Sequence, residues 1–226
     1  MKKNIREDNP VVLSNDGSHT IYSSRFSEHY HSTYGAIGES KHIFIEAGLK
    51  PLTDVKSTIN IFEVGFGTGL NALLTFEYAL KNNFTVNYWA VEAFPVDRNI
   101  VTRLNYTELL NIEPEIFAAM HRTKDKPVAI TPFFKLTVVS DTLQNIMLPE
   151  QFFDLIYFDA FSPEVQPEMW HVSCFDKIYK ATKKDGILTT YSCKGTVKRA
   201  LKAAGFSIKK LPGPPGKREF LRATKM

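Results

Sequence analysis

From residue 59 onward, the chain alternates short apolar runs with longer stretches whose apolar residues recur every three or four positions. Short apolar runs that stop at a glycine, proline or acid are typical of buried strands. Five such runs are "INIFEVG" from Ile59, "VNYWAVEAFP" from Val86, "FKLTVVSD" from Phe134, "FDLIYFDAFSP" from Phe153 and "GILTTYS" from Gly186. Two more, "FSIKKL" and "EFLRATK", flank the turn-rich "PGPPGKR", and we expect this last pair to be antiparallel.

The stretches between these runs have helical spacing. They are "LNALLTFEYALKN" (70–82), "YTELLNIEPEIFAAMHR" (106–122), "EMWHVSCFDKIYKAT" (168–182) and "GTVKRALKAAG" (195–205). The alternation predicts an α/β protein with a doubly wound, mostly parallel sheet of seven strands, whose last strand is antiparallel. Residues 1–58 are expected to form a segment that covers the active site, and residues 59–226 a single domain.

Composition narrows the class of protein. The 226 residues, 43% of them hydrophobic, suffice for one core. Because no stretch of 18 apolar residues occurs and the first twenty residues are polar, we expect neither a membrane span nor a signal peptide. Cys174 and Cys193 are far apart, and the six histidines show no metal-ligand spacing, so we expect a cytoplasmic, reduced protein without a metal.

Charge is distributed unevenly along the chain. Residues 194–226 hold ten lysines or arginines against one acid, Glu219, so their net charge is +9. Since the whole chain carries +4, residues 1–193 carry −5. A basic C-terminal part suits a polyanionic partner such as a nucleic acid, whereas a solvated lysine-rich surface is the simpler alternative.

A glycine-rich loop follows the first predicted strand. Gly65, Gly67 and Gly69 fall at every second position, and Glu63 precedes them. In a doubly wound sheet, ligands bind beyond the carboxyl ends of the strands, and glycine lets them approach the backbone closely. The spacing differs from the G-x-G-x-x-G of dinucleotide-binding proteins and from the nucleoside-triphosphate loop. Because Glu63 is a poor neighbour for a pyrophosphate, the loop favours a cationic ligand.

The stretch "EVGFGTG" resembles the first motif of class I S-adenosylmethionine-dependent methyltransferases, which implies their Rossmann-like fold. The resemblance implies that Glu63 pairs with the ligand's ammonium, directly or through water. It further implies that Glu92 holds the ribose hydroxyls and that Asp141 reads the adenine amine. Each acid alone could instead cap a helix, and a dinucleotide oxidoreductase is the enzymatic competitor. The predicted cofactor-binding residues are Glu63, Gly65, Phe66, Gly67, Thr68, Gly69, Glu92, Ala93, Asp141, Asp159 and Phe161.

Asp159 is the predicted catalytic residue. It follows an aromatic at the end of the fourth strand, and two prolines, Pro163 and Pro167, follow it. In the methyltransferase fold this loop lies beside the donor methyl group, and many amino-methyltransferases carry an Asn or Asp there. A carboxylate can orient an amine, accept its proton and stabilise the charge that develops on nitrogen. The alternative for Asp159 is a helix cap.

The loop "DAFSPEVQPEMW" resembles a more specific signature, D-x-F-[SA]-P-x-x-x-P-[ED]-[ML]-W. This signature belongs to the tRNA 5-aminomethyl-2-thiouridine methyltransferase family, the MnmC N-terminal-domain type that is called MnmD when it stands alone. "RFSEHYHSTYGAIGESKHIFIEAGL", "EVGFGTGLN" and "KREFLRA" agree with it, so the resemblance covers residues 25–223. It implies that one methyl group passes from S-adenosylmethionine to the aminomethyl nitrogen of the wobble uridine. The products are 5-methylaminomethyl-2-thiouridine and S-adenosylhomocysteine.

The family also implies a substrate side. Tyr30 or Tyr34 is expected to stack on a flipped base, unless these rings only hold the N-terminal segment to the core. Basic residues are expected to contact phosphates of the tRNA anticodon stem-loop, although Glu219 could instead pair with Arg218 and make that cluster structural. The predicted substrate-binding residues are Tyr30, Tyr34, Ser162, Pro163, Lys217 and Arg218.

Three rival functions remain open. A methyltransferase acting on a small-molecule amine would need an acidic site, and the basic C-terminal part argues against it. A methyltransferase for another RNA base and a non-catalytic RNA-binding module are the others. Because no second glycine motif is present, we expect no flavin and no oxidative step, so another enzyme must supply the amine. No obligatory protein partner is inferred.

Overall fold

The computed structural model describes residues 9–226, which form two sheets. A small antiparallel sheet contains β1 (Val11–Leu13), β2 (His19–Ser23) and β3 (Glu28–His29). The central sheet contains β4 (Thr58–Val64), β5 (Thr85–Val91), β6 (Val128–Thr131), β7 (Phe134–Val139), β8 (Phe153–Phe158), β9 (Thr182–Thr190), β10 (Phe206–Pro212) and β11 (Glu219–Lys225). Its strand order is β10-β11-β9-β8-β4-β5-β7-β6. The five inner strands, β9 to β7, are parallel.

Helices connect these strands and flank the sheet. They are α1 (Ala36–Ser40), a π-helical stretch (Lys41–Leu49), α2 (Lys50–Thr53), α3 (Leu70–Asn82), α4 (Arg98–Val101), α5 (Tyr106–Leu110), α6 (Pro114–Arg122), a 3₁₀ turn (Pro167–Trp170), α7 (Val172–Ala181) and α8 (Gly195–Ala203). Among residues 9–226, no helix is long and apolar enough to cross a membrane.

The core has two halves because alternate residues of a strand point to opposite faces of the sheet. On β4, Ile61 belongs to one buried cluster together with Leu73 of α3. Its neighbour Phe62 belongs to the other cluster, together with Phe175 of α7. The sheet is therefore covered on both faces, as the apolar runs predicted.

The N-terminal segment packs into this core rather than lying only on its surface. Ile43 and Leu49 in the π-helical stretch are fully buried, in the same cluster as Ile61. Gly48 approaches β8 and β9 so closely that a Cβ there would lie 3.3 Å from the Leu155 side chain. Residues 36–53 therefore form helices that pack directly on the central sheet.

Three predictions about the elements are wrong. The helix predicted over 106–122 is divided into α5 and α6, because Asn111 has a left-handed backbone that ends the first of them. The central sheet has eight strands, because the short β6 adds an antiparallel edge to β7 at residues for which no element was predicted. The helix predicted over 168–182 is divided at His171, whose extended backbone (φ −73°, ψ 150°) separates the 3₁₀ turn from α7. The predicted antiparallel last strand is confirmed, since β11 runs antiparallel to both β9 and β10.

Candidate active site

A cavity of about 450 Å³ opens at the carboxyl ends of the parallel strands. This volume lies within the range of small-molecule sites, and the position is where a doubly wound sheet binds its ligands. Predicted site residues that line it are Tyr30, Tyr34, Gly65, Phe66, Gly67, Glu92, Ala93, Asp141, Asp159, Phe161 and Lys217. Predicted site residues that are not part of its lining are Glu63, Thr68, Gly69, Ser162, Pro163 and Arg218.

The glycine loop forms one wall of the cavity. Gly65 and Gly67 have φ of 89° and 51°, a region that favours glycine. A Cβ at Gly65 would lie 2.6 Å from the Asp159 carbonyl oxygen, and one at Gly67 would lie 3.0 Å from the Tyr30 ring. The bare backbone therefore brings the loop against Asp159 and Tyr30, and any side chain here would displace both.

Glu92 is fixed at the end of β5 by backbone donors. Its Oε2 accepts a hydrogen bond from the Gly67 N–H at 2.8 Å, and its Oε1 accepts one from the Phe94 N–H at 2.7 Å. Burial raises the pKa of this carboxyl, although the two hydrogen bonds oppose that effect. Each carboxylate oxygen can accept a further hydrogen bond, so Glu92 can hold two hydroxyl groups of a ligand.

Asp141 follows β7 on another side of the cavity. Its Oδ1 accepts hydrogen bonds from the Thr142 N–H at 2.7 Å and from Asn145 Nδ2 at 3.0 Å. These hydrogen bonds lower the pKa of the Asp141 carboxyl. The side chain is therefore an ionised acceptor that is oriented by the loop after β7.

Asp159 is linked to Glu63 through an amide that the sequence analysis did not single out. Asn71 Nδ2, on α3, donates to Asp159 Oδ2 at 2.8 Å and to Glu63 Oε1 at 2.9 Å. Burial raises the pKa of Asp159 to about 7 and raises that of Glu63 well above its usual value. Within residues 9–226, Asp159 Oδ1 accepts no hydrogen bond, so it is available to a ligand in the cavity.

Thr68 and Gly69 lie behind the loop, where two histidines hold them. His31 Nε2 lies 2.7 Å from Thr68 Oγ1, and His121 Nε2 lies 3.0 Å from the Thr68 carbonyl oxygen. Burial lowers the pKa of each histidine to about 4, so both are neutral at physiological pH. His31 itself lines the cavity, whereas His121 does not, and together they support the loop.

Aromatic rings from the N-terminal segment pack on the loop that follows Asp159. Phe26 stacks on Phe161 with 4.3 Å between ring centroids, and Tyr30 meets the same ring edge-on at 4.9 Å. Glu28 Oε2 accepts a hydrogen bond from the Ser162 N–H at 2.9 Å. The N-terminal segment and the loop after β8 therefore form one wall.

The C-terminal loop supplies the remaining wall and carries Lys217 into the cavity. Lys217 Nζ donates to Glu39 Oε1 at 2.7 Å and lies 4.3 Å from the centroid of the Tyr191 ring. A Cβ at Gly216 would lie 2.5 Å from the Tyr34 ring, so this loop packs tightly on Tyr34. Glu219 pairs with Lys210 at 2.8 Å. Arg218 forms no ion pair with Glu219 among residues 9–226, although its charge contributes to lowering the pKa of the Glu219 carboxyl.

These features fit S-adenosylmethionine: a bare-backbone loop, the acceptor Glu92 at the end of the next strand, and the ionised Asp141 beyond it. Residues 115–226 match a family described as S-adenosyl-L-methionine-dependent methyltransferase. The mostly parallel sheet with its antiparallel last strand is that of a Rossmann-like class I enzyme. The architecture is that of a class I methyltransferase, and the site and the family match both point to S-adenosylmethionine as the cofactor.

Comparison with known proteins shows which proteins the chain resembles in sequence. The chain is 32% identical over 232 residues to the tRNA 5-methylaminomethyl-2-thiouridine biosynthesis bifunctional protein MnmC of Cupriavidus metallidurans, covering 96% of this chain and 34% of that protein. It is 31% identical to the protein of the same name from Leptospira borgpetersenii, covering 93% and 34%. The chain thus spans about a third of the length of these relatives. Over nearly its whole length, the chain is therefore similar to the third of MnmC that these matches cover.

Solved structures support the fold. The structure of MnmC2 from Aquifex aeolicus is similar with a TM-score of 0.79 at 23% identity, over 97% of this chain and 71% of that one. Spermidine synthase from Thermotoga maritima is similar with a TM-score of 0.52 at 10% identity, over 95% and 72%. At these identities the likeness concerns the architecture alone.

Proposed function

We propose that this protein transfers one methyl group from S-adenosylmethionine to the aminomethyl nitrogen of 5-aminomethyl-2-thiouridine at the tRNA wobble position. The product nucleoside is 5-methylaminomethyl-2-thiouridine. The curated relatives are named for the biosynthesis of this nucleoside. The observation that carries the proposal is Asp159, a carboxyl with a pKa of about 7 and a free Oδ1 beside the glycine loop.

Asp159 acts as the base in this proposal. An alkyl ammonium has no lone pair, so it must lose a proton before its nitrogen can accept a methyl group. A carboxyl with a pKa near 7 is a better proton acceptor than an ordinary aspartate, while it is still largely ionised at slightly alkaline pH. Asn71 holds Oδ2, which leaves Oδ1 to receive the proton.

The cofactor side of the proposal retains the residues predicted from the sequence. S-adenosylmethionine, when bound, supplies an electrophilic methyl group on a sulfonium sulfur and leaves as S-adenosylhomocysteine. Gly65 and Gly67 provide close backbone approach, Glu92 accepts from the ribose hydroxyls, and Asp141 accepts from the adenine amine. Glu63 acts indirectly, because the Asn71 amide links its carboxyl to that of Asp159.

The anticodon stem-loop is the proposed RNA partner. Several basic side chains of the C-terminal part form no ion pair within residues 9–226, namely Lys198, Arg199, Lys202, Lys209 and Arg218. Lys194 differs, because it pairs with Glu164 on the loop after β8. Unpaired cations suit phosphate contacts, which position an RNA without reading its sequence.

Tyr34 is the better of the two candidates for stacking on a flipped uridine. It lines the cavity, yet 58% of its surface remains exposed. Tyr30 instead packs against Phe161 and the backbone at Gly67. An exposed ring at the mouth of a cavity can receive a base that leaves its stack.

The test is direct conversion of the nucleoside. The purified protein is incubated with S-adenosylmethionine and tRNA from cells that lack this enzyme. The tRNA is then digested, and the masses of its nucleosides are measured. We expect 5-aminomethyl-2-thiouridine to become one methyl group heavier, and no change with Asp159→Asn or without the cofactor. An unchanged nucleoside, with cofactor binding intact, would contradict the proposal. Methylation of free amines without RNA would instead favour a small-molecule amine methyltransferase.

A further inference from the structure

Glu39 is an acid in the cavity that neither the glycine loop nor the loop signature includes. It lies on α1, and only 12% of its side chain is exposed. Its Oε1 accepts from Lys217, whereas its Oε2 is buried without a donor among the described residues. A buried carboxylate oxygen without a hydrogen bond is unfavourable, so a ligand that brings an N–H to this oxygen would gain binding energy.

The surroundings of Glu39 suit an alkyl ammonium. The Lys217 ammonium already lies there, between the Glu39 carboxylate and the face of the Tyr191 ring. A carboxylate and an aromatic face are the partners that cations prefer in proteins. Glu39, Tyr191 and Asp159 all line the same cavity, and the charges of both Glu39 and Lys217 affect the pKa of the Asp159 carboxyl.

The number of free acceptors matches a neutral primary amine. After Asp159 has accepted one proton from the ammonium and released it to solvent, the amine has two N–H groups and one lone pair, and Asp159 is again a carboxylate. Asp159 offers Oδ1, because Asn71 occupies Oδ2. Glu39 offers Oε2, because Lys217 occupies Oε1. If each N–H donates to one carboxylate, the lone pair has only one direction left, and the amine is oriented for a single line of attack.

We propose that Glu39 is a second acceptor for the substrate amine, with Oε2 receiving one N–H while Asp159 receives the other, and that Lys217 holds Glu39 in position. The inference rests on the proposed function and names a further substrate-binding residue for it. Lys217 then acts through Glu39, as a positioning residue, in addition to any contact with the RNA.

The chain offers a matched control for this role. Glu46 lies in the helical segment that continues from α1, and it also pairs with a lysine, Lys50, at 2.8 Å. Its side chain is 52% exposed and is not part of the cavity lining. Glu46→Gln therefore removes a paired carboxylate from the same segment without changing the cavity.

The experiment measures single-turnover methylation of tRNA that carries 5-aminomethyl-2-thiouridine, from pH 5.5 to 9, for wild type, Glu39→Gln, Lys217→Met and Glu46→Gln. Cofactor affinity is measured by calorimetry to show that each variant is folded. For Glu39→Gln we expect a rate at least about tenfold lower at pH 8, the order expected for one hydrogen bond to a charged group. Cofactor affinity should stay within about twofold, and Glu46→Gln should match wild type.

The pH profile tests whether the two charges act on Asp159, and the comparison of the two rate losses separates substrate contact from structural support. Removing the negative charge of Glu39 lowers the pKa of Asp159, so the acidic limb should move to lower pH in Glu39→Gln. Removing the positive charge of Lys217 has the opposite sign, so the limb should move to higher pH in Lys217→Met. We also expect the loss of rate to be larger for Glu39→Gln than for Lys217→Met.

Each outcome decides the matter. A slower Glu39→Gln variant with opposite shifts in the two profiles supports the inference. Equal losses in Glu39→Gln and Lys217→Met, without a shift, would show that Glu39 only anchors Lys217. If Glu39→Gln methylated at the same rate as Glu46→Gln, Glu39 would have no role in binding the substrate. If wild type leaves the RNA unchanged, the proposed function is wrong, and this role of Glu39 falls with it.

Discussion

Two aspartates, one at each end of strand β8, have opposite hydrogen-bonding environments. At the amino end, Asp154 is 1% exposed on β8. It accepts hydrogen bonds from Lys56 Nζ at 2.7 Å, Lys183 Nζ at 2.9 Å and the Asn60 N–H at 2.9 Å. Burial alone would raise the pKa of Asp154, but these donors outweigh it and the net shift is downward.

At the carboxyl end of the same strand, Asp159 has one amide donor and no direct cation partner. Burial therefore raises its pKa to about 7. The two aspartates are five residues apart, one within β8 and one directly after it. The first is satisfied and stabilises the fold, while the second is left short of donors. Unmet hydrogen-bonding capacity that persists in a cavity is a sign of function, because it costs stability until a ligand meets it.

The largest expected effect is on catalysis. Asp159→Asn keeps an oxygen that can accept from Asn71 but removes the proton acceptor, so methyl transfer should fall about 10³-fold. Single-turnover rates on the modified tRNA measure this loss, and calorimetry should show cofactor affinity near that of wild type.

The same variant should be more stable at alkaline pH. The folded-state pKa of Asp159 is raised to about 7 from 3.8, so wild type loses stability as pH rises from about 4 to 7. Asp159→Asn lacks this loss and should melt at higher temperature at pH 8. A variant that keeps near-normal turnover would contradict the assignment of Asp159 as the base.

The next largest effect is on stability and concerns Asp154, at the amino end of the central sheet. Asp154→Asn leaves Lys56 and Lys183 partly buried without their shared acid, and the free energy of unfolding should fall by about 3 kcal/mol. The pKa of Asp154 is depressed on folding, so its contribution is present at neutral pH and is lost as pH falls through the acidic range. Urea unfolding at pH 7 and pH 3 measures this.

The control for this variant is turnover. At a temperature where the variant is folded, Asp154→Asn should methylate at a rate within about twofold of wild type, since it lies at the opposite end of the sheet. A large catalytic defect in the folded variant would show that the two ends are not independent.

A smaller effect concerns the cofactor. Glu92→Ala removes the acceptor that the backbone N–H groups of Gly67 and Phe94 hold in place. We expect S-adenosylmethionine affinity to fall between about tenfold and a hundredfold, the order for one or two hydrogen bonds to a charged group. Calorimetry measures this, and unchanged affinity would count against the ribose contact.

The smallest expected effect concerns the RNA. Arg218→Glu lies outside the cavity lining and should raise KM for tRNA about three- to tenfold and flatten its salt dependence, with kcat nearly unchanged. Lys184→Glu, an exposed residue at the amino end of β9, is the matched control and should behave like wild type. Equal KM values for the two variants would show that Arg218 does not contact the RNA.

Much of the fold could be predicted from the sequence because its strands are continuous apolar runs that end at turn residues. The edge strand β6 could not, because it is four residues long, lies between two prolines and has only one neighbour. The break at His171 was missed since the residues on both sides have helical spacing, while the break depends on how the 3₁₀ turn packs.

The same distinction applies to the site: contiguous motifs could be recognised in the sequence, whereas contacts between distant residues could not. The glycine loop is contiguous in sequence, so its spacing could be recognised, and so could the signature that contains Asp159. Asn71 was missed because it sits within an apolar helical stretch, where an amide reads as one polar position. Glu39 and Lys217 were not paired because no local pattern links residues that only the folded chain brings together.

The contact between Glu39 and Lys217 spans 178 positions of the chain. During synthesis, the glycine loop and its strands emerge long before Lys217 does. The growing chain can therefore form the cofactor side of the cavity while the opposite wall is still missing. Contacts of such separation also form late in folding, because they close a very long loop. In the proposed function, the acceptor side of the cavity is therefore complete only when two segments far apart in the sequence have met.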